Sequence, residues 1–140
     1  MISAIVAVVI FVLVITLIVI FAREPGPTPT EIVIAYELAW DRLDFDTLWT
    51  LAGPELRDGL DKREYLAAKT RAYKGRHELR NLAERVDIDD AEIGIGYAHV
   101  RTRVTLRDGA VVRNDVMLTK RSASWAVTGY QLVANPPQTV

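Results

Sequence analysis

The chain has 140 residues, with 17 Lys+Arg, 18 Asp+Glu and no cysteine, so its formal net charge is −1 at pH 7. Half of its residues are hydrophobic, and this excess is concentrated at the N-terminus. This length, composition and distribution of apolar residues exclude a disordered chain, a polytopic membrane protein and a multi-domain enzyme. It indicates one small globular domain preceded by one apolar segment.

The apolar segment runs from Ile2 to Ala22, and only Ser3 and Thr16 in it are polar. At about 1.5 Å per residue, a helix of this length matches the hydrocarbon core of a bilayer, which is about 30 Å thick. A cleaved signal peptide is the alternative, but the segment has no basic start and its apolar run is too long. We therefore predict an uncleaved anchor at residues 1–22, a single-pass membrane protein, and the lipid bilayer as its partner.

The orientation in the membrane depends on the cations near the ends of the segment. Only the terminal amine precedes it, whereas Arg23 and Arg42 follow it. The positive-inside rule favours a cytoplasmic C-terminal domain, but long domains are translocated largely regardless of charge, so both orientations stay open. Residues 23–29 contain three prolines. Prolines block a helix and favour an extended spacer, so we predict a Pro-rich linker there.

The first helix of the domain is marked by the sequence Thr28-Pro29-Thr30-Glu31. Thr28 is expected to cap it, with Pro29 at the first helical position and Glu31 completing a capping box. The helix should run to about Leu43. Helical spacing predicts a buried stripe of Val33, Tyr36, Trp40 and Leu43, with Glu37, Asp41 and Asp44 facing away from the core.

Two further helices follow. One is expected at about 46–52, where Gly53-Pro54 ends it. The other begins at a second capping box, formed by Asp61 and Glu64, and should run to about Lys74 before Gly75 stops it.

The remainder of the chain has the pattern of β-strands. A first strand is expected around Val86 and Ile88, with Asp89-Asp90 breaking it. The acidic stretch 87–92 is therefore predicted to be an exposed turn.

Apolar and polar residues then alternate from 98 to 106, and Asp108-Gly109 is a hairpin signal. Returning strands are predicted at 111–120 and 125–133, with a tail at 135–140. Helices followed by an antiparallel meander predict an α+β fold, with the helices on one face of the sheet.

The order of these elements and several local stretches resemble an NTF2-like domain, also called a SnoaL-like or cystatin-like α+β cone. The resemblance covers residues 30–134 and implies a curved sheet that wraps three helices and leaves a conical pocket. That family includes ketosteroid-isomerase-like enzymes and many modules with no chemistry, so the fold does not choose the function. The matching stretches are Ala35-Tyr36, Ala39-Trp40, Asp44-Phe45-Asp46-Thr47-Leu48-Trp49, Ala52-Gly53-Pro54-Glu55-Leu56-Arg57 and Trp125-Ala126-Val127-Thr128-Gly129-Tyr130.

Aromatic residues are the candidates for the wall of such a pocket, because they can line a site for an apolar ligand as well as pack the core. An isomerase-like enzyme would instead need an acid or base beside hydrogen-bond donors. The candidates for those roles are Tyr36, Tyr65, Tyr130, Asp44 and Asp46, and the two acids are more simply interpreted as cap and turn residues. The predicted ligand-pocket residues are Tyr36, Trp40, Trp49, Tyr65 and Trp125.

We predict no catalytic residue, no cofactor and no metal site. There is no cysteine nucleophile, and the acidic stretch 87–92 lacks the glycine of a calcium loop. His99 and Asp115 could form an acid/base pair, but the alternation of the strand places His99 on the outer face of the sheet. A sequence pI of about 6.1 argues against a nucleic-acid partner.

The outer face of the sheet is the candidate interface. Its predicted residues are Tyr97, His99, Arg101 and Arg103, and the arginines could bind Asp115 of a second copy in a homodimer. Other membrane proteins are also possible partners.

Two functions follow as hypotheses. The first is a membrane-anchored, non-catalytic NTF2-like binding or assembly module whose ligand or partner is unknown. The alternative is a small-molecule enzyme of the SnoaL or ketosteroid-isomerase-like kind, with acid/base groups in the cone. The two differ in whether titratable groups converge inside the cone.

Overall fold

The computed structural model describes residues 2–22 and 26–133. Part of the predicted linker, residues 23–25, and the predicted tail, residues 135–140, lie outside the described residues. The predicted α+β class is confirmed, with four α-helices before a four-stranded antiparallel sheet. The elements are α1 (Ile2–Ala22), α2 (Pro29–Arg42), α3 (Phe45–Leu51), α4 (Lys62–Ala72), β1 (Ala83–Ile93), β2 (Tyr97–Leu106), β3 (Val111–Arg121) and β4 (Ser124–Leu132).

Helix α1 covers the whole predicted apolar segment. Its side chains at positions 4–17 are all exposed. Among the residues that the structure describes, no helix combines the length and the apolar character needed to cross a membrane. The predicted transmembrane helix is therefore not supported by this structure.

The helix boundaries follow the capping signals of the sequence. Thr28 and Asp61 each form the predicted capping box, with Glu31 and Glu64 respectively. Helix α2 is followed by its C-cap Leu43, which has a left-handed φ of 52°. That turn lets Asp44 cap α3, because both carboxylate oxygens of Asp44 accept from Thr47.

The sheet is a plain meander in the order β1-β2-β3-β4, and every neighbouring pair is antiparallel. The predicted turn at Asp108-Gly109 is present, with Gly109 at a φ of 89°. One prediction is wrong: β1 continues through Asp89-Asp90 as a bulge, so 87–92 is strand and not an exposed turn. Pairing with β2 satisfies the backbone there, which outweighs the low strand propensity of Asp.

Helix α2 packs on the inner face of the sheet and forms the main core. Val33 and Tyr36 of α2 meet inward residues of the strands, among them Val100 and Val116. Helices α3 and α4 close the same side, and Tyr65 is the buried residue of α4. Burying such side chains stabilises the fold by about 1.5–3 kcal/mol each.

Glu37 contradicts the sequence-based expectation that it faces away from the core. It is only 5% exposed. It shares one helix face with Val33, Tyr36 and Trp40, at the spacing i, i+3, i+4 and i+7. Because that face packs against the core, Glu37 is buried with them.

Candidate ligand pocket around Glu37

The candidate functional site begins with the Glu37 carboxylate, which is buried between α2 and the sheet. Three neutral side chains donate hydrogen bonds to it. Thr102 Oγ1 and Asn114 Nδ2 donate to Oε1 at 2.8 and 2.9 Å. Tyr130 donates its hydroxyl proton to Oε2 at 2.7 Å. The carboxylate therefore joins α2 to β2, β3 and β4 at one point.

The sheet register brings the three donors together. Thr102 on β2 lies directly opposite Asn114 on β3. Tyr130 on β4 lies opposite Val116, two residues beyond Asn114 on the same inward face. Because side chains alternate along a strand, all three donors point toward α2 rather than toward solvent.

The protons of this cluster can be fully assigned. Asn114 Nδ2 donates to Glu37 and also to the Tyr130 hydroxyl, at 3.0 Å. The single hydroxyl protons of Thr102 and Tyr130 go to Glu37. An ionised carboxylate is acceptor-only, and a side chain that receives three donors fits that form. The cluster consequently holds a negative charge and uses its own side-chain protons internally.

Two tyrosines beside the carboxylate have raised pKa values. Burial, followed by the negative charge of Glu37 and the hydrogen bond to it, raises the pKa of Tyr130 far above its ordinary value of 10.0. Burial also raises the pKa of Tyr36, whose ring packs edge-on against Tyr130 at a centroid distance of 5.2 Å. Both hydroxyls are therefore neutral at physiological pH.

A cavity of about 200 Å³ opens beside this cluster. It lies between the C-terminal half of α2 and the inner face of the sheet. A second carboxylate, Asp41, borders it, and Asp41 Oδ1 accepts the backbone N–H of Ala83 at 2.9 Å. Its lining is Glu37, Trp40, Asp41, Leu82, Ala83, Val104, Leu106, Val112, Asn114 and Tyr130.

The five predicted ligand-pocket residues occupy different places. Trp40 lines the Glu37 cavity, and Tyr36 is buried behind it against Tyr130. Trp49 and Tyr65 pack against each other, with ring centroids 5.4 Å apart. Trp125 is half-buried on β4, where the Lys120 ammonium lies 5.9 Å from its ring centroid.

The predicted interface residues lie on the outer face of the sheet, where charged side chains pair within the chain. Arg101 Nε lies 2.9 Å from Asp115, and His99 Nε2 lies 3.4 Å from the same carboxylate. Arg103 Nε lies 3.5 Å from Asp89. Tyr97 is 54% exposed at the end of β2. Asp115, the expected ligand for a partner's arginine, is therefore engaged by Arg101 of its own chain.

A larger cavity, of about 320 Å³, lies at the end of α4. Lys74, Arg76 and Arg80 contribute cations to its lining beside His77, and all four are exposed. Within the described residues, no group of three or more acidic or histidine side chains could hold a metal ion. The Glu37 pocket is the stronger candidate site, because it places a carboxylate that is buried, an unusual position for Glu, at the border of a cavity.

The sequence reasoning missed Glu37, Thr102 and Asn114. Each stands at an inward position of an otherwise apolar pattern: Glu37 on the stripe of α2, Thr102 between Val100 and Val104, and Asn114 between Val112 and Val116. The signal available in the sequence was that each of three core-facing elements has one polar residue within its apolar pattern. Buried polar groups are hydrogen-bonded, so such interruptions are expected to meet.

No family model and no curated protein matches this chain. Among solved structures, a DUF4783 family protein from Bacteroides ovatus is 14% identical, with a TM-score of 0.46 over 70% of this chain and 90% of that one. A hypothetical protein with a ketosteroid isomerase-like fold from Catenulispora acidiphila, solved in complex with trimethylamine, is 19% identical. Its TM-score is 0.44 over 77% of this chain and 87% of that one. These values are too low to assign the chain to a family.

Proposed function

We propose that this chain is a membrane-anchored, NTF2-like binding module that holds a small ligand in the Glu37 pocket. The observation that carries the proposal is an ionised carboxylate, 5% exposed, that borders an open cavity and is fixed by three hydrogen bonds from the sheet. A site held this rigidly, with mostly apolar walls and few polar groups, is typical of small-molecule recognition.

The hydrogen-bond donors of the cluster are all directed at groups within it, which favours binding over catalysis. An isomerase-like site needs donors that point at the charge developing on the substrate. Here the Tyr130 hydroxyl proton goes to Glu37, and both Asn114 amide protons are used within the cluster. A substrate oxyanion would have to displace Glu37 from these donors.

The anchor is proposed from the run Ile2–Ala22, which is charge-free in the sequence and long enough to span a bilayer. Within α1, the Thr16 hydroxyl donates to the Val12 carbonyl at 2.8 Å. One of the two polar side chains of that stretch thereby satisfies its hydrogen bond inside the helix, as lipid requires. The large apolar side chains Ile5, Phe11 and Leu13 are each more than half exposed.

Ligand binding is tested by a fragment screen on the full-length chain in a non-ionic detergent, followed by amide chemical shifts. Fragments that bind the pocket should shift Ala83, Val104 and Val112, and Ala83→Phe should abolish the shifts by filling the cavity. Ala123→Phe, at the distant and exposed β3–β4 turn, is the matched control. A screen in which no fragment shifts these amides overturns the binding function.

The anchor is tested by washing membranes with alkaline carbonate. The full-length chain should stay in the pellet, and a chain lacking residues 1–22 should not. Recovery of the full-length chain in the wash, or a mature N-terminus near Arg23, would overturn the anchor while leaving the pocket unaffected.

A small-molecule enzyme is the second candidate, and the position of Glu37 favours it. An ionised acid at an apolar pocket can act as a general base. The test is exchange of the α-protons of cyclopentanone with deuterium oxide. Enzyme activity predicts exchange that is lost in Glu37→Gln, and a rate no faster than buffer refutes this candidate.

A further inference from the structure

We infer that the ligand of the Glu37 pocket is a small organic cation that carries N–H donors, such as a protonated primary or secondary amine. The inference rests on the proposed binding function and adds the chemical class of the ligand. It is argued from charge, from the hydrogen-bonding positions left open and from the shape of the cavity.

The charge of the pocket is negative. Glu37 and Asp41 border the cavity, and none of the described residues that line it is a cation. The ammonium of Lys69 lies nearby, 5.7 Å from the Trp40 ring centroid, but its carboxylate partner is Asp58 at 3.4 Å. A buried carboxylate stabilised only by neutral donors gains from an added counter-charge, because its Coulomb attraction is weakly screened there.

The hydrogen-bonding positions left open are acceptors. Glu37 Oε1 already receives two donors, whereas Oε2 receives only Tyr130, so Oε2 keeps an acceptor position. The Tyr130 oxygen donates once and accepts once, so it also keeps one lone pair. The indole N–H of Trp40 is also without a hydrogen-bond partner, but it is buried and not accessible. A ligand must therefore bring its own protons, and a carboxylate or carbonyl ligand would face oxygens with no proton between them.

The shape of the cavity sets the size of the cation. A volume of about 200 Å³ is below the roughly 300 Å³ of the smallest drug-sized pockets. Leu82, Val104 and Val112 give it apolar walls. One ring or a short branched chain fits, with its ammonium directed at Glu37.

The test compares benzylammonium, benzyl alcohol and benzoate, which share a ring and differ in charge. Binding to the full-length chain in a non-ionic detergent at pH 7 is followed by the amide shifts of Ala83 and Val112. Benzylammonium should bind at least about tenfold more tightly than benzyl alcohol, since a charge-assisted hydrogen bond is roughly twice as strong as a neutral one. Benzoate should not bind.

Two variants assign the effect to the pocket. Glu37→Gln should weaken benzylammonium binding about tenfold or more and benzyl alcohol much less, because it removes the charge and turns one acceptor oxygen into an NH2 donor. Asp41→Asn keeps an acceptor for the Ala83 N–H and should weaken benzylammonium binding several-fold. If Glu37→Gln does not fold, Asp41→Asn tests in its place whether the charge of the pocket selects the cation. Glu92→Gln removes the same charge from an exposed site on β1 and should have no effect.

The outcomes separate the inference from the function on which it rests. Equal binding of benzyl alcohol and benzylammonium, or binding of benzoate, overturns the inference that the ligand is a cation. The proposed binding function then still stands. Failure of all three probes, together with a fragment screen that finds no other ligand, overturns both.

Discussion

Tyr130 donates a 2.7 Å hydrogen bond to Glu37 from 93 residues away in the sequence. The bond joins the last strand of the sheet to the first helix of the domain. Thr102 and Asn114 reach the same carboxylate from β2 and β3. One charged side chain thus fixes the position of α2 against three of the four strands, and the ligand pocket lies beside it.

Glu37→Ala should destabilise the domain by about 3 kcal/mol or more, because three donors lose their acceptor and each buried unsatisfied group costs about 1–3 kcal/mol. Urea unfolding of the full-length chain measures this free energy. Glu92→Ala, at an exposed carboxylate on β1, should stay within about 0.5 kcal/mol. Equal costs for the two variants would show that the Glu37 cluster adds nothing to stability.

Tyr130→Phe should cost about 1.5–3 kcal/mol, the range for a hydrogen bond to a charged group. Combined with Glu37→Ala, its cost should be smaller than the sum of the single costs by about 0.5–3 kcal/mol, because both changes remove the same interaction. The double-mutant cycle is measured by urea unfolding. Strict additivity would mean that Tyr130 and Glu37 do not interact in solution.

Alkaline pH should destabilise the domain through its buried tyrosines. Burial raises the pKa of Tyr65 to about 12, above the value of about 10 that an unfolded chain has. The unfolded state therefore loses this proton first, so the stability contributed by Tyr65 is complete below pH 10 and is lost as pH rises toward 12. Tyr65→Phe should have a shallower decline of Tm over that range. Identical declines in the two proteins would contradict the raised pKa.

Asp44 should stabilise α3 in a pH-dependent way. The hydrogen bonds from Thr47 lower the pKa of this carboxyl below its ordinary value of 3.8. A lowered pKa gives stability that is present at neutral pH and is lost as pH falls below about 4. Asp44→Ala should cost about 1 kcal/mol at pH 7 and less in acid, as measured by urea unfolding.

Asp44→Asn is the matched control, because Asn caps a helix about as well as Asp but does not titrate. Its stability should exceed that of Asp44→Ala at every pH. An Asp44→Ala penalty that is the same at pH 3 and pH 7 would show that the cap does not depend on the charge.

The outer sheet face remains the proposed homodimer interface, and Arg101 and Arg103 provide its test. Their replacement, Arg101→Glu with Arg103→Glu, should disrupt a dimer without unfolding the domain, because neither side chain belongs to the core. The double variant also loses the pairs with Asp115 and Asp89, which at exposed positions add little to stability. Sedimentation of the full-length chain in detergent gives the result, and a monomeric parent protein ends the interface proposal.

The sequence by itself determined the features that depend on neighbouring residues. The capping boxes at Thr28 and Asp61 and the hairpin at Asp108-Gly109 lie where they were predicted. Each is a local interaction between groups two or three residues apart, so the chemistry of a short stretch decides it. The alternation along β2 likewise identified its inward face, because the side-chain period of a strand is fixed by its geometry.

Only the tertiary structure decided whether the polar residues within those patterns are buried, paired or exposed. Taken alone, α2 offers Glu37 to solvent as readily as to a core, and the choice depends on donors from β2, β3 and β4. The bulge at Asp89 is a similar case, since pairing with β2 carries the strand through two adjacent acids. Burying a charge is unfavourable until partners distant in the sequence supply its hydrogen bonds, so the candidate site exists only in the folded chain.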